Sequence, residues 1–151
     1  MAKLVDARDS KSRGSDTVSV RIRPSAPIFL DEVSMFDSSC VFCKIIQGHI
    51  PAQVVKENDH VVAIKDRSPK APVHLLLIPK IHIINVATME DVHAEYAWYM
   101  LQMARDISKD LCQGRGFNLV MNNGADAGQS VFHLHMHFLS GKSITDGGFL
   151  L

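Results

Sequence analysis

Cysteine is scarce in this chain of 151 residues, with three in all. Cys40, Cys43 and Cys112 are too few, and odd in number, for a disulfide framework. The close Cys40/Cys43 pair instead fits a metal or redox pair in a reducing compartment. Neither sign of charge is in excess, since 16 Lys and Arg balance 16 Asp and Glu. That balance argues against partners selected by bulk charge, so neither a nucleic-acid nor a membrane partner is expected. No apolar run approaches the roughly 20 residues that cross a bilayer. The N-terminus lacks the apolar stretch of a secretory leader. The expected location is therefore cytoplasmic. The length allows one domain plus a tail, and an apolar share of 46% is ordinary for a globular domain.

The tail is residues 1–36 and the domain residues 37–151. Lys3, Arg8, Lys11, Arg13, Arg21 and Arg23 alternate there with Asp6, Asp9, Asp16, Asp31 and Glu32, among Ser, Gly and Pro. Without a sustained hydrophobic period, such a segment is expected to be disordered. It is too acidic for an organellar transit peptide. Val20-Arg21-Ile22 is also what the T-loop of a transfer-RNA gene encodes when read as protein. The expectation is a start assigned too early, with translation beginning at Met35 and no catalytic role for the tail.

What the chain does have is histidine in register. From His133 to Phe138 imidazole and apolar side chains alternate strictly. Period-two alternation marks a half-buried strand. Leu134, Met136 and Phe138 then face a core, and His133, His135 and His137 line the other face. Three exposed histidines on an ordinary edge strand is the bland alternative. Imidazole can serve as nucleophile, acid, base or metal ligand near neutral pH.

Upstream, Cys40-Val41-Phe42-Cys43 can clasp one metal if two later residues complete the set. Two reduced thiols acting as small hydrophobes remain the alternative. A thioredoxin-type pair fits less well. Val54–Lys56 and Val61–Lys65 read as a hairpin about Asn58-Asp59. Asp66 follows, as a turn cap or as an acceptor for ribose hydroxyls. His74–Pro79 is a buried strand, with His74 and His82 open to either a loop or a site role. Thr88–Cys112 reads as the one long helix, N-capped by Thr88. Its stripe is Val92, Tyr96, Tyr99, Met103, Ile107 and Leu111, and Cys112 is expected to be inert. Phe117–Asn122 is a strand. The loop from Asn122 to Ser130 carries glycines and polar donors suited to a phosphate.

Gln129-Ser130-Val131-Phe132-His133-Leu134-His135-Met136-His137 resembles the signature of the histidine-triad (HIT) nucleotide-binding proteins. Cys40–Ile46 with Ile50-Pro51, His74–His82 and Asn122-Asn123-Gly124 extend the match over about residues 38–142. Leu139-Ser140-Gly141-Lys142 resembles the phosphoramidase (Hint-type) branch. The resemblance implies an α+β fold: about five antiparallel strands per subunit and one long helix. It also implies a homodimer with a continuous sheet and that helix in the interface.

The implied activity is hydrolysis of the bond between the α-phosphate of a purine nucleoside monophosphate and an amine or similar leaving group. His135 would be the nucleophile, forming a nucleotidyl-histidine intermediate. His137 would donate to a phosphate oxygen, Ser130 would assist the leaving amine, and His74 would support His137. Asn122, Gly128, Gln129, Ser130 and Val131 would hold the phosphate. Asp66 would take the ribose, and Phe42, Ile45, Ile50 and Ile64 the base. Cys40, Cys43, His82 and His133 would form a closed structural zinc site, and no organic cofactor is implied. Three departures stand out. The chain ends Ile144–Leu151 where the branch commonly carries Trp-Pro-Pro, Asn123 replaces a common Glu, and Arg67 replaces an apolar residue. Two other functions compete: a dinucleoside polyphosphate hydrolase (Fhit-like), and a nucleotide-binding or scaffold protein without turnover.

Overall fold

A computed structural model describes residues 35–142. The expectations for residues 1–34 and for the Ile144–Leu151 terminus lie outside the described residues. Helix α1 is Val41–Ile46, and strands β1 and β2 are Val54–Glu57 and Val61–Lys65. Strand β3 is Val73–Pro79 and helix α2 Ala94–Leu111, followed by β4, Phe117–Val120, and β5, Met136–Ser140. The five strands form one antiparallel sheet in the order β1-β2-β3-β5-β4.

The β1–β2 turn works as read. Asn58 Oδ1 accepts from the amides of His60 and Val61, at 2.9 and 2.8 Å, a local bond that Asn makes readily in turns. Strand β3 is buried along Leu75–Ile78 without alternation, because both faces of the central sheet are covered. On one face Val61, Ala63, Leu75, Leu77, Met136 and Phe138 pack on Met100, Met103, Ala104 and Ile107 of α2. On the other Val62, Ile64, Leu76 and Ile78 pack on Cys40, Phe42 and Cys43. Residue parity sends the triad histidines to this second face.

The sequence placed the histidine strand from His133. The ladder with β3 begins at Met136 opposite Leu77, so His133–His135 lie ahead of β5, with His133 in a bend. The facing still holds, with Leu134, Met136 and Phe138 in the α2-side core. The helix reading needs more correction. Thr88 ends a short 3-10 turn, Val86–Thr88, and its hydroxyl accepts from Asn85 N at 3.2 Å. A second such turn, Asp91–His93, precedes α2. The change of pitch rotates the buried stripe to Met100, Met103, Ala104 and Ile107. Val92 is left 73% exposed and Leu111 39% exposed. Cys112 is buried beside α2, as expected of an inert thiol.

Beyond β5, Gly141 has φ 88°, and a Cβ there would meet Pro72 Cβ at 3.0 Å, so only glycine lets β5 exit past that ring. No helix among the described residues is long and apolar enough to cross a membrane.

The rotated stripe has a simple check by denaturant unfolding. Met103→Ala should cost about 2–5 kcal/mol, and Val92→Ala less than about 0.5 kcal/mol. Equal costs would restore the stripe read from sequence.

Candidate active site and metal centre

The pairing register places His137 in a row that crosses all five strands: Val54, Ile64, Leu76, His137, Val120. His74 lies diagonally across on β3, on the same face. Its Nε2 is 2.9 Å from His137 Nδ1. Which nitrogen carries the proton follows from a third bond. The Lys70 amide donates to His74 Nδ1 at 3.0 Å, so that nitrogen is a lone pair and Nε2 holds the hydrogen. His74 Nε2–H therefore donates to His137 Nδ1, which leaves His137 with Nε2–H as its donor.

Asp66 Oδ2 lies 3.5 Å from the same His74 nitrogen and 4.0 Å from His137 Nδ1. These three side chains also satisfy the proximity of a metal site. The ring geometry speaks against one. The ring centres are 5.2 Å apart, which is the nitrogen–nitrogen distance plus the two ring radii. The rings therefore meet head-on, as in a hydrogen bond, whereas ligands of one ion converge at an angle. Asp66 Oδ1 meanwhile accepts from Ser68 N at 2.7 Å. The turn-capping role read from sequence is thus present, alongside the pairing with His74.

His135 is 5% exposed. Its Nδ1–H donates to the His133 carbonyl at 2.7 Å, which leaves Nε2 as the free lone pair. Phe42 of α1 sets its ring edgewise against both His135 and His133, with centres 5.2 and 5.8 Å away. Burial holds His135 and His74 below the ordinary histidine pKa. It pushes His137 down to about 4, with His135 and His74 adding to the effect. All three rings are thus neutral at pH 7.

Cys40, Cys43, His82 and His133 gather at the foot of β5, all four ligand atoms within 4.8 Å of one another. Cys40 is the N-cap of α1 and Cys43 lies in its first turn, so helical spacing aims both thiols the same way. The sulfur–nitrogen distances are 3.5 Å for Cys40–His133, 3.6 Å for Cys43–His133 and 3.3 Å for Cys43–His82. A tetrahedral ion with metal–sulfur bonds of about 2.3 Å and metal–nitrogen bonds of about 2.0 Å sets such edges at about 3.5 Å. His133 Nε2–H donates to the Pro79 carbonyl at 2.9 Å, which turns Nδ1 towards the thiols. That is the outer bond metal-binding histidines normally make. The Asp37 amide donates to Cys43 Sγ at 3.4 Å, and the Asp37 carboxylate stands 3.9 Å from His82 Nε2. Burial raises the Cys43 thiol to about 11 and lowers His133 to about 4. The convergence of four donors and the lengths of their edges fit a metal cation.

The loop before the triad turns on Gly124 and Gly128, with φ 95° and 87°. A Cβ on Gly128 would come within 3.3 Å of Asn122 Nδ2, which donates to Ala127 O at 2.6 Å. Gln129, expected to help hold the phosphate, bonds instead to its own loop and to Ile84. Its Nε2 donates to Ile84 O and Val131 O, and its Oε1 accepts from Gly124 N. Its own amide donates to Gly124 O. Gln129 is buried and spent on clasping the loop, so its donors are not free for a phosphate. Ser130 is exposed. Among the described residues its hydroxyl and the amides of Ser130 and Val131 have no partner. Phe42 and Ile64 are 6% and 4% exposed, while Ile45 and Ile50 are half-buried. Asn123, one of the departures, accepts from Val86 N at 2.8 Å and ties the loop to the turn before α2. Neither this clasp nor the Pro79 carbonyl was visible in the sequence, which offers no signal for a bond set by tertiary approach.

A model of the HIT domain matches residues 47–144. The chain belongs to the HIT family. It is 49% identical over 104 residues to an uncharacterized HIT-like protein of Synechocystis, covering 68% of this chain and 90% of that one. It is 38% identical over 110 residues to a 14 kDa zinc-binding protein of Zea mays, covering 72% and 86%. It is 37% identical over 110 residues to an adenylylsulfatase HINT1 of Arabidopsis thaliana, covering 72% and 75%. Among solved structures, a HIT family hydrolase from Clostridium thermocellum superposes with TM-score 0.69 and 42% identity, covering 76% of this chain and 99% of that one. A HIT family hydrolase from Legionella pneumophila gives TM-score 0.67 and 40% identity, covering 70% and 95%. The five-stranded antiparallel sheet with one long helix is thus the HIT fold.

The low pKa of His137 carries a sign. A buried ring that stays neutral in the folded chain contributes fully above about pH 6.5, the unfolded value. That contribution is lost as pH falls from there towards about 4. Unfolding free energy measured by urea titration should therefore drop between pH 7 and pH 5, and drop less in His137→Asn. An identical slope in that variant would contradict a neutral buried His137.

Proposed function

We propose that this HIT protein is a nucleotide hydrolase of the purine nucleoside phosphoramidase kind. The observation that carries the reading is the opposed proton placement on two neighbouring rings. His135 is held with Nε2 as a lone pair, and His137 with Nε2–H as a donor, their ring centres 5.2 Å apart. A nucleophile needs the first and a developing phosphate charge needs the second.

In the proposed reaction His135 Nε2 attacks the α-phosphorus of a nucleoside monophosphate joined to an amine. A phosphorus–nitrogen bond to His135 forms as the bond to the leaving amine breaks. The Ser130 hydroxyl, exposed and without a partner among the described residues, stands to assist protonation of the amine. Water then attacks phosphorus, releasing the nucleoside monophosphate and restoring neutral His135. His137 Nε2–H donates to a phosphate oxygen in both steps. Asn122, Gly128, Ser130 and the Val131 amide surround the phosphate, with Gln129 holding their loop in shape. Asp66 takes the ribose hydroxyls, and Phe42, Ile45, Ile50 and Ile64 form the base wall. His74, through its proton, is the support of His137.

Cys40, Cys43, His82 and His133 are proposed to hold zinc, a reading supported by the Zea mays relative's name and by the S₂N₂ donor set. Four protein ligands close the site, so a bound zinc would supply structural cross-linking and leave no position for water. The chain is further proposed to act as a homodimer. Strand β4 is a sheet edge, and its Phe117 and Leu119 are exposed, as are Trp98 and Leu101 of α2. An apolar sheet edge invites strand addition by a second copy.

Leaving-group choice separates the readings. The protein should release AMP faster from adenosine 5′-phosphoramidate than from diadenosine triphosphate. Adenylyl sulfate is a third substrate worth including, because one relative is named an adenylylsulfatase. His135→Ala should lower turnover by at least about a thousandfold, the scale of losing a covalent nucleophile, while AMP binding persists. Preference for the dinucleotide would favour the Fhit-like alternative. No turnover of any of the three by folded protein would favour the nucleotide-binding or scaffold alternative.

A further inference from the structure

His133 stands in two places at once. Its ring nitrogen Nδ1 faces Cys40 and Cys43 at 3.5 and 3.6 Å. Its carbonyl oxygen accepts the His135 Nδ1–H bond at 2.7 Å. The ring is 0% exposed, and its far nitrogen is anchored to Pro79 O. The ring in the cluster and the carbonyl that fixes the proton on His135 belong to one residue, so any shift of the His133 backbone moves both.

A second link runs in parallel. Phe42 lies between the two cysteines in sequence, and its ring rests edgewise on both His133 and His135. Helix α1 is only six residues long, with no side-chain cap at its N-terminus. So short a helix has little stability of its own, and its seat depends on what Cys40 and Cys43 hold. Metal ligands held by outer hydrogen bonds transmit position in this way.

We infer that His133 is a positioning residue for the proposed nucleophile, and that filling the Cys40/Cys43/His82/His133 cluster sets the tautomer and aim of the His135 ring. This rests on the role proposed for His135. The cluster is then more than a staple. Emptying it leaves the sheet folded around the α2-side core, which contains none of the four ligands. What changes is the seat of α1, the His133 carbonyl and the lone pair at His135 Nε2. The effect on turnover comes through the lone pair at His135 Nε2, and nucleotide affinity shifts as well, because Phe42 and Ile45 of the proposed base wall lie on α1.

The test uses full-length protein loaded with zinc, the same protein stripped by a chelator, and two substitutions. Cys40→Ser removes a ligand, and Cys40→Asp supplies an oxygen ligand; both keep a good N-cap for α1. Imidazole ¹⁵N NMR reads the His135 tautomer with no substrate present. Loaded wild type should show a single Nδ1–H tautomer at His135. Stripped protein and Cys40→Ser should show exchange between tautomers and a fall in kcat of about 10–100-fold. Cys40→Asp with zinc should recover the single tautomer and most of kcat. An unchanged His135 signal on stripping, with the protein folded, would overturn the coupling. If His135→Ala retains full turnover, the nucleophile reading fails instead, and the NMR signal still judges the coupling separately.

Discussion

The Nδ1–H of His135 donates to the His133 carbonyl over 2.7 Å, and much of the fold bears on that bond. It decides which nitrogen of a buried ring carries the proton. A histidine in water exchanges tautomers freely, so either nitrogen can meet an electrophile as the lone pair. Here the choice is made by the backbone. The same device recurs twice. The Lys70 amide fixes His74, and through it His137. The Pro79 carbonyl fixes His133. Three main-chain groups thus set the ring protons of four histidines.

Burial makes this arrangement hold. The central strands are covered on both faces, by α2 on one side and by α1 with the Cys segment on the other. Covering the second face removes water from the histidines, lowers their pKa values and leaves them neutral. It also makes their hydrogen bonds obligatory, since an unpaired polar ring atom there has no water to turn to. The burial that keeps His135 neutral therefore also demands the His133 carbonyl.

Much of this was legible beforehand, because the strongest signals were periodic or of fixed spacing. Alternation from His133 to Phe138 sorted core from site correctly even though the ladder itself starts at Met136. The Cys40/Cys43 spacing told of a clasp, and the family likeness supplied His82 and His133, which the fold then brought to it. Helix α2 was the weaker reading. Two 3-10 turns precede it, and a tighter pitch shifts every later residue around the axis, so Val92 and Leu111 fell off the buried stripe. Gln129 was open to two roles for another reason. Its amide could serve a ligand or the loop, and only the approach of Ile84 and Gly124 decides. Composition cannot show which backbone carbonyl a side chain will meet.

The most direct measurement is to quench a reaction with adenosine 5′-phosphoramidate in its first turnovers and locate the protein-bound nucleotide by peptide mass spectrometry. The expected result is an adenylyl group on the peptide that contains the triad, fragmented to His135 and absent from His135→Ala. Adenylyl found on His137, or AMP formed with no protein-bound nucleotide at any time point, would contradict a nucleophile at His135.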